Sequence, residues 1–215
     1  MKATRTIILY TACICGLVLS MSVIAMSQRI SDGDLKSLAI AYVDLHEPKL
    51  KEAVTDHDRY WILYYLCPAA LSAGEIDKAK SFANTLLEIA PRLERRPGFG
   101  PGMNGAATHI ANIVLGRIAL DEGKVAKAKE HLLAAGSIEK GDPPLVSFGP
   151  DMLLAKRLIE KDERKVAVEY LDLCALFWTY KQNRVAEWRK TIDMGGMPDF
   201  GANLNYITGT WRFAK

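Results

Sequence analysis
The chain has 215 residues, 49% of them hydrophobic and 25% charged, with 28 Lys plus Arg against 25 Asp plus Glu. That is enough chain for one domain with a real core, and too even a charge for a nucleic-acid binder, which carries a basic face. The four cysteines, two of which (Cys13 and Cys15) fall in an apolar leader, exclude a disulfide framework.

The leader begins with Lys2 and Arg5, followed by an uncharged stretch from Thr6 to Gln28. A secretory signal has an apolar region of roughly 7 to 15 residues, and an uncleaved anchor needs about 20. Val23-Ile24-Ala25 puts small or apolar residues where a signal peptidase reads. Residues 1–27 are therefore expected to be a signal peptide or an N-terminal membrane anchor. Basic residues stay on the cytoplasmic side, so residues 28–215 are expected outside the cytoplasm, periplasmic or secreted, touching membrane only through the leader.

After the leader, Asp32 is placed to cap a helix starting near Gly33, with Leu35, Leu38, Ala39, Tyr42 and Val43 on its apolar face and Pro48 at its end. A short piece, Leu50 to Val54, leads to Asp56 as the cap of an apolar helix from about His57 to Ser72, which Gly74 breaks. The next helix, Glu75 to Ala90, buries Ile76, Ala79, Phe82, Ala83, Leu86 and Leu87 before Pro91 stops it. Arg92 to Asn104 is too rich in Gly and Pro for helix or strand, and it lacks the Lys-Ser/Thr ending of a phosphate loop. It is expected to be a surface loop, with Phe99 available to shape a groove.

A second pair of helices follows, Ala106 to Asp121 and Lys124 to Ala135, joined at Gly123, with Gly116 allowing close helix contact. A third, weaker pair runs Met152 to Glu160 and Arg164 to Tyr180, with Asp162 where the turn glycine stood before. The helix near Tyr42 and one around Arg184 to Ile192 are the natural end caps. Phe177, Trp178, Tyr180, Trp188, Phe200, Tyr206, Trp211 and Phe213 make an aromatic-rich tail suited to closing an exposed end.

Leu63, Leu66, Cys67, Ala70, Gly74, Ala79 and Pro91, with Leu115, Gly116, Ala119, Gly123 and Ala128 in equivalent places, form a pattern that resembles the tetratricopeptide repeat. The resemblance implies an all-α fold for residues 28–215: antiparallel helical hairpins stacked as a short right-handed α-solenoid, with an aromatic-rich C-terminal cap. It also implies a binding scaffold whose ligand is set by individual groove side chains. Stretches such as Val114-Leu115-Gly116-Arg117-Ile118-Ala119-Leu120, Ser147-Phe148-Gly149-Pro150-Asp151-Met152 and Pro198-Asp199-Phe200-Gly201-Ala202-Asn203-Leu204 further resemble a group of uncharacterised bacterial repeat proteins. That resemblance implies a fold and a bacterial source, and no functional residue.

The histidines His46, His57, His109 and His131 form no two-histidine zinc helix, and there is no Gly-x-Ser-x-Gly turn. The expectation is a noncatalytic protein-interaction scaffold with no cofactor and no metal, whose partner is a protein or peptide and not nucleic acid. Tyr64, Asn112 and Arg117 are candidates for outward or groove positions on first helices. His109, Ser147, Asp151, Asp199 and Asn203 are scattered polar groups that a curved stack can bring together around a peptide or small polar ligand. They also have plain structural uses: Asp151 as a helix cap, Ser147 in a turn, Asn203 in a bend. The competing expectation is a small polar-ligand or hydrolytic site made by the Gly/Pro loop, His109 and the tail. Cys67 reads as a buried small hydrophobe.

Overall fold
The computed structural model describes residues 32–93, 103–138 and 143–204. The leader 1–27, Phe99 with most of the Gly/Pro loop, and Tyr206, Trp211 and Phe213 lie outside the described residues. The chain divides into two compact units, Met1–Leu35 and Lys36–Lys215, and the account below concerns the second.

The described residues are all-helical, with nine α-helices and no strand: α1 (Asp32–Glu52), α2 (Asp56–Ala73), α3 (Ile76–Ile89), α4 (Asn104–Asp121), α5 (Val125–Gly136), α6 (Pro143–Phe148), α7 (Leu153–Ile159), α8 (Arg164–Phe177) and α9 (Gln182–Asp193). Short 3-10 turns sit at Ala90–Leu93, Thr179–Lys181 and Gly201–Leu204. Three expected boundaries differ: the helix expected from Arg164 to Tyr180 ends at Phe177, and two more changes lie near the N-terminal end. α1 runs through Pro48 rather than ending there. Glu47, next to Pro48, pairs with Lys78 of α3 at 2.9 Å. The cap of α2 is Thr55, not Asp56: its side chain accepts from the Asp58 amide, and the Asp58 carboxylate accepts from the Thr55 amide at 3.1 Å, a closed capping box. α6 was not foreseen.

Four turns repeat one hydrogen-bond pattern; the one at Gly195 (φ 81°), where Gly195 donates to Ile192 O and Gly196 to Thr191 O, ends α9, and the other three join paired helices. Gly74 donates to Leu71 O and Glu75 to Ala70 O; Gly123 donates to Leu120 O and Lys124 to Ala119 O; Asp162 donates to Ile159 O and Glu163 to Leu158 O. All three turn residues are left-handed, with φ of 81°, 75° and 64°. Asp162 is the one non-glycine among the described residues in that region, and a short polar side chain tolerates it at some cost.

Counted from these turn residues, the same registers are buried each time. Seven back lie Cys67, Gly116 and Ala155; five on lie Ala79, Ala128 and Ala167. Nine on lie Ala83, Leu132 and Leu171, and twelve on lie Leu86, Ala135 and Cys174. Small residues at the first two registers let the paired helices close. A Cβ on Gly116 would fall 2.4 Å from Leu154 Cδ2 and 3.1 Å from His131 Cβ. Six residues past their turns, Lys80 and Lys129 reach glutamates beside the following turns, Glu122 at 2.6 Å and Glu163 at 2.7 Å. These exposed pairs add little stability, but they fall at matching points of successive helix pairs.

Packing follows chain order. α2 packs on α3, α3 and α2 on α4, α4 on α5, α5 on α8, α7 on α8 and α8 on α9. α4 is the central helix, covered by α2, α3, α5, α6 and α7, and thirteen of its residues are buried. At the C-terminal end the Trp188 ring sits 5.8 Å from Trp178 and 5.1 Å from Phe200, and its Nε1 donates to Asp199 O at 2.9 Å. Phe177, Trp178, Trp188 and Phe200 are buried, whereas Tyr180 is exposed. Cys67 and Cys174 are free, buried thiols whose ionisation burial pushes up.

Candidate functional site: a buried polar junction
The third first helix starts late. Asp151, eleven residues before its turn residue, stands where Leu63 and Asn112 stand before theirs, yet those two lie inside α2 and α4 while Asp151 precedes α7. Between the Gly149 amide, which still bonds Leu145 O of α6, and Met152 O, which accepts from Lys156 of α7, the peptide groups therefore lack helical partners, and a buried peptide group without a partner costs about 1–3 kcal/mol. The sequence supplies partners from three distant elements.

His109 of α4 is fully buried. Its Nδ1 lies 2.9 Å from Ala135 O, and the Asp151 amide donates to its Nε2 at 3.1 Å. A carbonyl only accepts and an amide only donates, so the ring is the neutral tautomer with its proton on Nδ1. Burial pushes its pKa down to about 4, against the raising effect of the Ala135 bond. Both ring nitrogens are used, which leaves neither a proton nor a lone pair for a reacting group.

The other groups close the junction. Asn203 Nδ2 donates to Phe148 O at 3.2 Å and Pro150 O at 2.8 Å, and Asn203 O accepts from the Met152 amide at 2.9 Å. Tyr170 of α8 donates its hydroxyl to Asp151 O at 2.9 Å, and burial raises its pKa. Asp151 Oδ1 accepts from the Leu153 amide at 2.9 Å, just ahead of α7. Beside them Gly149, at φ 85°, lies under the Trp178 indole, where a Cβ would come within 2.4 Å of Cε2.

The structure brings His109, Asp151 and Asn203 together, and the hydrogen bonds given above run to the protein's own backbone. Asp199 is exposed and accepts from the Gly201 amide at 3.0 Å, and Ser147 is exposed, so neither joins the junction. The groove positions assigned to Tyr64 and Asn112 are corrected: both are buried. Tyr64 sits among the rings of Tyr60, Trp61 and Tyr65 at 5.0–6.0 Å. Asn112 donates to Thr108 O and accepts from His131 Nδ1, each at 2.9 Å. For Asn112 the reason is the coverage of α4 on most of its sides, which register counting along a single helix does not reveal. Arg117 is partly exposed, with Nε and Nη1 buried.

Tyr170 and His131 were missed. A tyrosine at an apolar helical register was the available signal, since a buried hydroxyl seeks an acceptor. Among the described residues no group of three or more His, Cys, Asp or Glu is placed to hold a metal ion. An open cleft of about 530 Å³ lies at the start of α9, lined by Thr179, Tyr180, Lys181, Gln182, Asn183, Arg184 and Glu187. None of the sequence-derived candidates lines it. No described helix is long and apolar enough to cross a membrane.

The chain matches no protein-family model, no curated protein and no solved structure.

Proposed function
We propose that this chain is a noncatalytic protein-interaction scaffold: a short right-handed stack of three tetratricopeptide-like hairpins, α2–α3, α4–α5 and α7–α8, held outside the cytoplasm by its leader. The observation that supports it is the recurrence of one left-handed turn with buried small residues seven back and five on, at Gly74, Gly123 and Asp162. Stacks of such units present a continuous surface and bind chains laid along it. The occupied valences of His109 favour this reading over a hydrolytic site built on that residue. The exposed part of that surface is aromatic at α2, where Trp61, 36% exposed, stands against Tyr60 at 5.0 Å and donates to His57. Its partner is a protein or peptide, with no nucleic acid, cofactor or metal involved.

The test is capture with the tagged full chain from detergent-solubilised envelope of the source cell, beside Trp61→Ala and His109→Gln. A protein retained by the wild type and lost with Trp61→Ala supports the scaffold. Turnover of ester, amide or phosphate substrates that disappears in His109→Gln, with no retained protein, overturns it.

A further inference from the structure
The described arginines divide sharply. Arg59 and Arg92 pair with Asp56, Arg157 with Asp121, Arg164 with Asp162 and Arg189 with Asp172, while Arg184 lies over the Trp188 ring. Arg117 alone among them has no hydrogen-bond, ion-pair or ring partner, although its Nε and Nη1 are buried. Burial pulls its pKa down; the fields of Asp151 and Asp121 oppose this, and Arg157 adds repulsion. A guanidinium stripped of water on two nitrogens and given no acceptor is an unfavourable arrangement for folding alone.

We propose that Arg117 is a binding residue for an oxyanion, the carboxylate or phosphate group of a ligand, entering between α4 and α7 beside Arg157. Three features of the chain fit. Arg117 is partly exposed, so its open side is reachable from solvent. Gly116 brings α7 close to α4, with Leu154 against it, and so brings Arg157 near. Arg157 is paired with Asp121 at the rim, and the carboxylates of Asp151 and Asp121 act on Arg117 through their field without taking a hydrogen bond from Nε or Nη1, which leaves those two protons to be answered. An incoming oxyanion would supply the missing acceptor, and charge-assisted bonds to a planar guanidinium are the strong kind. This site does not depend on the scaffold reading: it takes a small anion whether or not a protein partner is captured.

The experiment follows the Arg117 Nε–H resonance of the full chain during titration with acetate, with inorganic phosphate and with sodium chloride at matched ionic strength. Thermal unfolding of Arg117→Met and Arg117→Lys is measured in parallel. A saturable shift with acetate identifies carboxylate ligands, and one with phosphate identifies phosphate ligands. Either supports the site if affinity, read in wild type and variant alike from the Gly116 and Ile118 backbone amide shifts, falls tenfold or more in Arg117→Lys and if Arg117→Met melts higher than the wild type without added anion. Shifts that only follow ionic strength as chloride does, or a lower melting temperature for Arg117→Met, make Arg117 a structural group and overturn the proposal. Should Arg117→Met not fold, that too overturns it.

Discussion
The second and third helix pairs solve the same packing problem in different ways. In α4–α5 the first helix is eighteen residues long, and its buried backbone is satisfied by its own turns. In α7–α8 the first helix has seven residues, and the segment ahead of it is satisfied by side chains from α4, α8 and the Gly201–Leu204 turn. The comparison teaches that a polar cluster in a helical core can stand in for missing helical turns. Such a cluster is fully buried, draws residues from far apart in the chain, and on those grounds alone resembles a reaction site. The hydrogen bonds of His109 tell the difference, because both ring nitrogens end on the protein's own peptide groups.

Removing a member of the junction breaks that comparison most severely. Gly149→Ala would force a Cβ into the Trp178 indole at a φ of 85°, and it is expected to cost more than about 3 kcal/mol or prevent folding, read by denaturant unfolding. His109→Leu leaves the Asp151 amide and Ala135 O without their partner, at an expected cost of about 3 kcal/mol in the same assay.

Acid probes the same histidine. Its pKa is lowered in the fold, so between about pH 6.5 and about pH 4 the unfolded chain takes up a proton that the folded chain refuses. Stability therefore falls as pH drops through that window, by about 3 kcal/mol at most, and the loss levels off below pH 4, where both states are protonated. Half-buried His131, lowered by burial and by Lys127, adds to the slope in the same direction. His109→Gln is expected to flatten the unfolding free energy over this range relative to wild type, measured at a series of pH values.

Smaller changes sharpen the likeness between the turns. Gly123→Ala meets nothing within 4 Å, so only its φ of 75° resists, at about 1 kcal/mol. Asp162→Gly should do the reverse in the third turn and stabilise by a few tenths to about 1 kcal/mol, since the Asp162 carboxylate is almost fully exposed and its Arg164 pair contributes little. Chemical denaturation of both variants checks the opposite signs.

What was legible in the sequence follows from range. The helix pairs and turns at Gly74, Gly123 and Asp162 are local patterns, set by apolar spacing and a single left-handed residue, and they were found with boundaries close to those observed. Thr55-x-x-Asp58 was equally local, but Asp56 beside it is also a good cap, and only the reciprocal bonds decide. Pro48 misled because proline removes one helical bond without dictating what holds the neighbouring turn. The junction needed contacts across 42 residues from His109 to Asp151 and 53 from Asn203 to Pro150. Spacing suggested that these polar groups matter and could not say that they would bond to backbone. The burial of Asn112 was hidden for the same reason, since it depends on what covers α4.

The measurement that most directly tests the junction is native-state hydrogen exchange at the Asp151 and Met152 amides, in the wild type and in His109→Gln. If side chains replace the missing helical turns, both amides exchange as slowly as those in the middle of α4, and the substitution accelerates Asp151 far more than the α4 amides. Exchange at Asp151 in the wild type as fast as at exposed Ser147 would contradict the account.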